Sequence, residues 1–177
     1  QKDAPNGGTA TGYFAGDFDG QTFTADAAKQ KWLDYGTDNY ALVSWSGIPA
    51  TDGRRLAIGW MSNWQYAQKV PTEKWRSAMT LPRSLTLQKI AGDYYVTSNP
   101  VNELKSIEGK SVTTAPQTLN GPVTLADDSL VRLYKLVFRF KKLNPSNIEF
   151  KFSNAAGEYI LAGYDSEKKQ YYIDRTR

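Results

Sequence analysis

The residues best suited to chemistry lie between Trp60 and Gln65, where Trp-Met-Ser-Asn-Trp-Gln sets two indoles beside Ser62, Asn63 and Gln65. Amide and hydroxyl groups can bond the hydroxyls of a polyhydroxylated ring while an indole covers its C–H face. Either Trp alone serves equally well as core or strand-end packing, because Trp is highly buried on average. Upstream, Asp38 and Tyr40 stand two residues apart. On a strand they would share a face, placing a carboxylate beside a phenol, an arrangement that hydrogen-bonds hydroxyls or closes a loop internally.

Other chemistry is excluded by composition. The 177 residues contain no Cys and no His, so disulfides, zinc held by thiolate or imidazole, Cys nucleophiles and Ser-His-Asp triads are impossible within this chain. Asp17 and Asp19 before Gly20 resemble the start of a calcium loop, but no third ligand precedes the Gly and no Glu closes the loop at the required distance; a hairpin turn is the expectation, with no metal and no cofactor. The net charge of +4 arises from 22 Lys+Arg against 18 Asp+Glu, interspersed along the chain. A nucleic-acid partner would require a denser basic stripe, and none is expected. Neither a run of membrane-spanning length nor a signal peptide is visible, and Gln1 is not an initiator, so a processed or trimmed start is expected.

The elements that must position these residues read as strands. Aromatic content is 13% and Gly and Pro punctuate the chain, which favours an all-β fold. Residues 1–12 form a Gly- and Asn-rich loop, and residues 13–24 a hairpin around Asp19-Gly20. A β-prone run follows Gly36 to Asn39, and Leu56-Ala57-Ile58-Gly59-Trp60-Met61 reads as a buried strand leaving the Asp52-Gly53 turn. Leu85 and Leu87 alternate before a turn at Ala91-Gly92-Asp93, from which Tyr94-Tyr95-Val96-Thr97 returns. Trp45 and Trp75 are expected to pack between strands, and Arg76 and Arg83 to fix loops by pairing with carboxylates.

A boundary is expected at Ser98-Asn99-Pro100, giving domains 1–98 and 99–177. All five Trp lie between residues 32 and 75. Beyond the boundary Leu136, Phe138 and Phe140 alternate with Val137, Arg139 and Lys141, and Ile148, Phe150 and Phe152 with Glu149, Lys151 and Ser153. Tyr159-Ile160-Leu161-Ala162 and Tyr171-Tyr172-Ile173 continue the series. This is the pattern of a half-buried antiparallel sheet with one wet face, as in a sandwich.

The blocks GDFDGQTF, WLDYGTDNYALVSW, GRRLAIGWMSNWQYA and VPTEKWRSAMTLPRSLTL, in that order, resemble the last propeller blade of glycoside hydrolase family 32, the invertases, levanases and exo-inulinases that cleave β-fructofuranosides. The segment ending EFKFSNAAGEYILAGYDSEKKQYYIDRTR resembles the start of that family's C-terminal β-sandwich. The resemblance therefore implies an all-β chain made of the last blade of a five-bladed β-propeller and a truncated sandwich, the C-terminal part only of such an enzyme. The family carries an Asp nucleophile in a WMNDPNG-like block, a stabilising Asp in an RDP block and an acid/base Glu in an EC block. None of these blocks occurs here, and Ala4 stands where the Asp before Pro5-Asn6-Gly7 would be needed.

For the complete enzyme the resemblance implies retaining hydrolysis by two carboxylates about 5 Å apart. This chain contributes no catalytic residue and is expected to be inactive alone. Tyr40 and Trp60 are similar in placement to aromatic residues lining the fructose pocket, with Trp64 and Asp38 as neighbours. The implied partners are a fructan or sucrose-like carbohydrate and the missing N-terminal propeller blades, because an isolated blade exposes apolar flanks. Secreted or periplasmic residence follows from the family's polymeric substrates. A stand-alone carbohydrate-binding module and a structural β-sandwich that braces a catalytic partner remain alternatives.

Overall fold

The computed structural model describes residues 4–26, 30–125, 133–140 and 147–176. The chain is all-β, with a single short 3-10 helix among the described residues. It divides into two compact units, Gln1–Thr113 and Thr114–Arg177.

In the first unit two small ladders precede the main sheet. β1 (Gly12–Tyr13) pairs with β4 (Lys31–Trp32), and β2 (Gly16–Phe18) pairs with β3 (Phe23–Ala25). The β2–β3 hairpin turns where Asp19 and Gly20 require it. Asp19 Oδ1 accepts hydrogen bonds from the backbone N–H groups of Gln21 and Thr22 at 2.8 and 2.7 Å, which hold its carboxyl below the usual carboxylate range. The Asp19 carboxylate thus works as an Asx turn, as expected for a hairpin.

The main sheet is a four-stranded antiparallel meander in the order β5 (Tyr40–Ser44), β6 (Arg55–Trp60), β7 (Arg83–Ile90), β8 (Asp93–Pro100). β7 and β8 are joined by the two-residue turn Ala91-Gly92, both with positive φ, the geometry whose twist matches the flanking strands. β8 runs through Ser98, Asn99 and Pro100, and a 3-10 helix, Asn102–Ile107, follows within the same unit. Arg54 fastens this helix to the β5–β6 turn. Its guanidinium donates to Asp52 at 2.6 and 2.7 Å and to Glu103 at 2.7 and 3.1 Å, holding both carboxyls below their ordinary values.

The buried interior of this unit is unusual in composition. Its buried apolar residues are small, Ala4, Ala10, Ala57, Ala67 and Val101, and beside them lie Thr9, Asn39, Ser62, Asn63 and Thr80. The largest fully buried side chains are two amides, Asn39 and Asn63. Larger apolar side chains of the sheet, including Val43 and Leu87, and of the β6–β7 connection, Met79 and Leu81, are exposed.

The second unit holds a three-stranded antiparallel sheet, β9 (Ile148–Ser153), β10 (Tyr159–Asp165) and β11 (Gln170–Asp174), with β10 central. Register places Ile148, Phe150 and Phe152 opposite Tyr164, Ala162 and Ile160, so one face is apolar. Phe138 stacks on Phe150 at 3.9 Å between ring centroids, Phe140 lies 6.4 Å from the same ring, and Tyr134 stacks on Phe152. The side assigned to Phe138 and Phe140 by alternation is therefore correct, but residues 134–140 form no strand. They cover the sheet with side chains rather than extend it by backbone pairing. Lys141 lies outside the described residues. On the opposite face Tyr172 crosses Gly163, its hydroxyl 2.7 Å from where a Cβ would stand, and donates to Glu149 at 3.0 Å.

Candidate functional site: an aromatic wall held by buried amides

β6 ends at Trp60, where apolar packing gives way to polar turns. Tyr40 and Trp60 are direct cross-strand partners on β5 and β6. Their ring centroids lie 6.3 Å apart with planes inclined at 59°. Trp64, four residues further on, returns to place its ring 5.0 Å from Trp60 at 58°. Both are tilted arrangements within the range in which aromatic pairs attract. Tyr40 and Trp60 are half-buried and Trp64 is 59% exposed, so the three rings form one continuous aromatic wall with Trp64 at its exposed end.

The turn that brings Trp64 back is built on the backbone carbonyl of Asn63, which accepts from the N–H groups of Tyr66 at 3.1 Å and Ala67 at 2.9 Å. Thr80 fixes the strand beside Trp60. Its hydroxyl accepts from Gly59 N–H at 2.9 Å and its own N–H donates to Gly59 O at 2.8 Å. Arg76 secures the outer loop by donating to the carbonyls of Gln68 and Val70 at 2.8 and 3.1 Å.

The structure brings together Tyr40, Trp60 and Trp64. Asp38 sits half-buried just before β5 begins, not on it. A register shift between Tyr40 and Val43, with φ of 49° at Ala41, bends the strand at its start. Because β5 starts at Tyr40, Asp38 and Tyr40 are joined by a loop-to-strand junction rather than by the pleat of one strand. Three further expectations are corrected. Ser62 and Asn63 are 3% and 0% exposed, so neither offers its polar atoms outward; of the polar residues around Trp64, Gln65 is the exposed one. Trp75 is 71% exposed rather than packed between strands, and Trp45 is 45% exposed. Arg76 bonds to carbonyls and Arg83 to the Ser98 hydroxyl at 3.2 Å, neither to a carboxylate.

A cleft of about 230 Å³ lies at the β5–β6 turn, lined by Trp45, Ser46, Ile48, Pro49 and the two arginines Arg54 and Arg55. It shares no residue with the aromatic wall. Arg54 is committed there to Asp52 and Glu103, and the chemistry read from the sequence remains at the other end of these strands.

Comparison with known proteins defines the class. Residues 2–100, which carry the wall and the meander, match the model of the glycosyl hydrolases family 32 N-terminal domain. The chain belongs to this family. It is 42% identical over 182 residues to the levanase of Bacillus subtilis (strain 168), covering 98% of this chain and 26% of the levanase. It is 34% identical over 183 residues to an extracellular exo-inulinase of Aspergillus niger, covering 96% of this chain and 33% of that protein. Among solved structures, the exo-inulinase of Aspergillus awamori superposes with a TM-score of 0.63 and 27% identity over 94% of this chain and 34% of that one. The chain thus spans about a quarter to a third of the length of the relatives it matches.

Proposed function

We propose that this chain is the C-terminal part of a β-fructofuranosidase of the levanase, inulinase or invertase type, which hydrolyses β-fructosidic bonds with retention. The four-stranded meander, whose last strand carries two residues past the boundary expected between domains 1–98 and 99–177, is the last blade of a five-bladed propeller, and the rest of the chain opens a C-terminal β-sandwich. The observation that carries this reading is the clustering of Tyr40, Trp60 and Trp64, ring against ring, within a segment that matches the family.

In this role the chain acts by binding. The C–H face of a fructose ring lies against the indoles, where burial of apolar surface and C–H contacts to the π face favour it over water. Gln65, exposed beside Trp64, donates to and accepts from its hydroxyls, and the half-buried Asp38 carboxylate accepts from them. The attacking carboxylate and the proton-donating carboxylic acid come from the neighbouring blades, which also cover the exposed Val43, Met79, Leu81 and Leu87. The chain alone is inactive, and the whole enzyme acts outside the cytoplasm, secreted or periplasmic, as befits a polymeric substrate and as the extracellular exo-inulinase relative suggests.

Hydrolysis and binding assays on the chain alone and on the chain joined to the family's preceding blades test this. Fructose release from levan, inulin or sucrose only by the joined protein, lost on Trp60→Ala, is the expected result. Firm levan binding by the chain alone, with no hydrolysis by the joined protein, would instead establish the carbohydrate-binding module. That alternative is favoured by the outward-facing Trp64 on a chain without the family's acid blocks.

A further inference from the structure

Asn63 is the most deeply buried polar side chain of the first unit, at 0% exposure, and it lies next in sequence to the outermost ring of the wall. Its amide group is taken up by backbone partners. The Nδ2 group donates to Thr37 O at 2.9 Å and lies 3.4 and 3.5 Å from Thr9 O and Gly7 O, and Oδ1 accepts from Gln65 N–H at 3.0 Å. One side chain therefore fastens three stretches that are remote in sequence: the loop at 7–9, the loop at 37–39 that leads into Tyr40, and the turn that carries Trp64.

The fit leaves no slack. Gly8 has φ of +72°, a conformation that L side chains rarely adopt, and a Cβ there would collide with the Asn63 carboxamide. A second pair of contacts runs alongside. Thr11 Oγ1 donates to Asn39 O at 3.1 Å, and the Thr37 and Tyr66 hydroxyls approach to 3.4 Å. The loops that bear Tyr40 and Trp64 are thus tied to each other through an amide rather than through apolar packing, since the apolar residues buried nearby are the small Ala4, Ala10 and Ala67.

From this geometry we infer that Asn63 is the positioning residue of the aromatic wall, setting the separation and tilt of Trp60 and Trp64 from below, with Gly8 as its obligatory counterpart. The inference rests on the sugar-binding reading only for its consequence. Its structural part concerns the indole pair itself and is measured without sugar.

Two indoles 5.0 Å apart and inclined at 58° produce an exciton couplet in circular dichroism, and that couplet is the direct readout. Asn63→Ala removes both halves of the amide. Asn63→Asp keeps an acceptor for Gln65 N–H but turns oxygen toward the carbonyls of residues 7, 9 and 37. Gly8→Ala attacks the same joint from the opposite side. All three are expected to retain the β-sheet spectrum and to lose the couplet, and Asn63→Ala, which alone deletes the acceptor of the Gln65 N–H, to exchange that amide roughly tenfold faster, the factor that corresponds to one lost hydrogen bond. Because both residues act through one joint, Gly8→Ala combined with Asn63→Ala is expected to be no worse than either alone.

Fructose-induced quenching of tryptophan emission, read in the same samples, is expected to disappear with the couplet. A couplet unchanged in Asn63→Ala, or losses that add in the double variant, would overturn the inference. Should Asn63→Ala not fold, Asn63→Asp and Gly8→Ala decide it by the same two criteria. A parent chain with the couplet but without a fructose response removes the sugar-binding reading, while the couplet in the variants still decides the role of Asn63.

Discussion

The two units hold their aromatic residues in place by opposite means. In the second, Phe150 and Phe152 are stationed by the pleat of β9 and covered by Phe138, Phe140 and Tyr134, ring against ring. In the first, Tyr40, Trp60 and Trp64 adjoin in sequence two buried amides, Asn39 and Asn63, in a unit whose buried apolar residues are small. Apolar packing is non-directional and tolerates sliding, whereas a hydrogen bond has a preferred distance and angle and an unmet buried partner costs about 1–3 kcal/mol. A surface that must present rings at a set spacing to a ligand gains from the second construction. A sheet that needs only coverage is served by the first.

The contrast can be broken most severely in the second unit. Phe150→Ala removes the ring on which both Phe138 and Phe140 rest and is expected to destabilise that unit by about 3 kcal/mol, measured by amide exchange along β9 to β11, with the Trp60–Trp64 couplet unchanged. Gly163→Ala places a methyl group against the Ile148 carbonyl and the Tyr172 hydroxyl. Backbone cannot yield as a flexible side chain can, so a loss of about 2 kcal/mol is expected for the same sheet, together with release of Tyr172 from Glu149, visible as a fall in the raised pKa of its phenol.

The first unit sharpens the comparison by separating stability from function. Trp64 is largely exposed, so Trp64→Ala is expected to change unfolding free energy by no more than about 0.5 kcal/mol in a denaturant titration. The same variant is expected to abolish the couplet and the fructose response. Stability and presentation of the wall would then be shown to reside in different residues.

The smallest effect concerns charge. Asp93 accepts from Lys31 Nζ at 2.5 Å, and the same ammonium donates to Tyr94 O and lies 4.3 Å from the Tyr95 ring centroid. Lys31 holds the Asp93 carboxyl below its ordinary value, as Arg54 does for Glu103. A carboxyl depressed in the folded state contributes stability above its unfolded pKa, near 4, and loses that contribution as pH falls through the lower folded value. Acid titration of the first unit is therefore expected to show a destabilising limb below about pH 4, shallower in Asp93→Asn and Glu103→Gln, and weakened by salt because both pairs are exposed.

How much of this was legible in the residues differs between the units for the same reason that their construction differs. Alternation placed Ile148, Phe150 and Phe152 on one face, and Asp19-Gly20 and Ala91-Gly92 marked their turns, because these features depend on neighbours in the chain. The failures fall where the partner is remote. Ser62 and Asn63 read as outward-facing polar groups beside Trp64, yet both are buried, since the carbonyls of Gly7, Thr9 and Thr37 that claim the Asn63 amide have no local signature. Asp38 would share a face with Tyr40 had the strand already begun, but β5 starts only at Tyr40, where pairing with Trp60 of β6 begins. Residues 134–140 carry a strand's alternation without forming one, because period-two chemistry orients side chains whether or not a backbone partner stands alongside.

By itself the amino-acid sequence determined the all-β class, the order of the hairpins, the absence of thiol and imidazole chemistry, and the three rings Tyr40, Trp60 and Trp64 as a candidate surface. The first three follow from residue type and short-range spacing, which act before the chain is closed, whereas the grouping of Tyr40 with Trp60 and Trp64 is what the family resemblance implied. Only the tertiary structure decided that the rings meet, at 6.3 and 5.0 Å, and that an asparagine rather than a hydrophobic core stands behind them. Both depend on hydrogen bonds and contacts between residues dozens of positions apart, and a directional bond to a distant backbone carbonyl leaves no trace in the pattern of the chain that makes it.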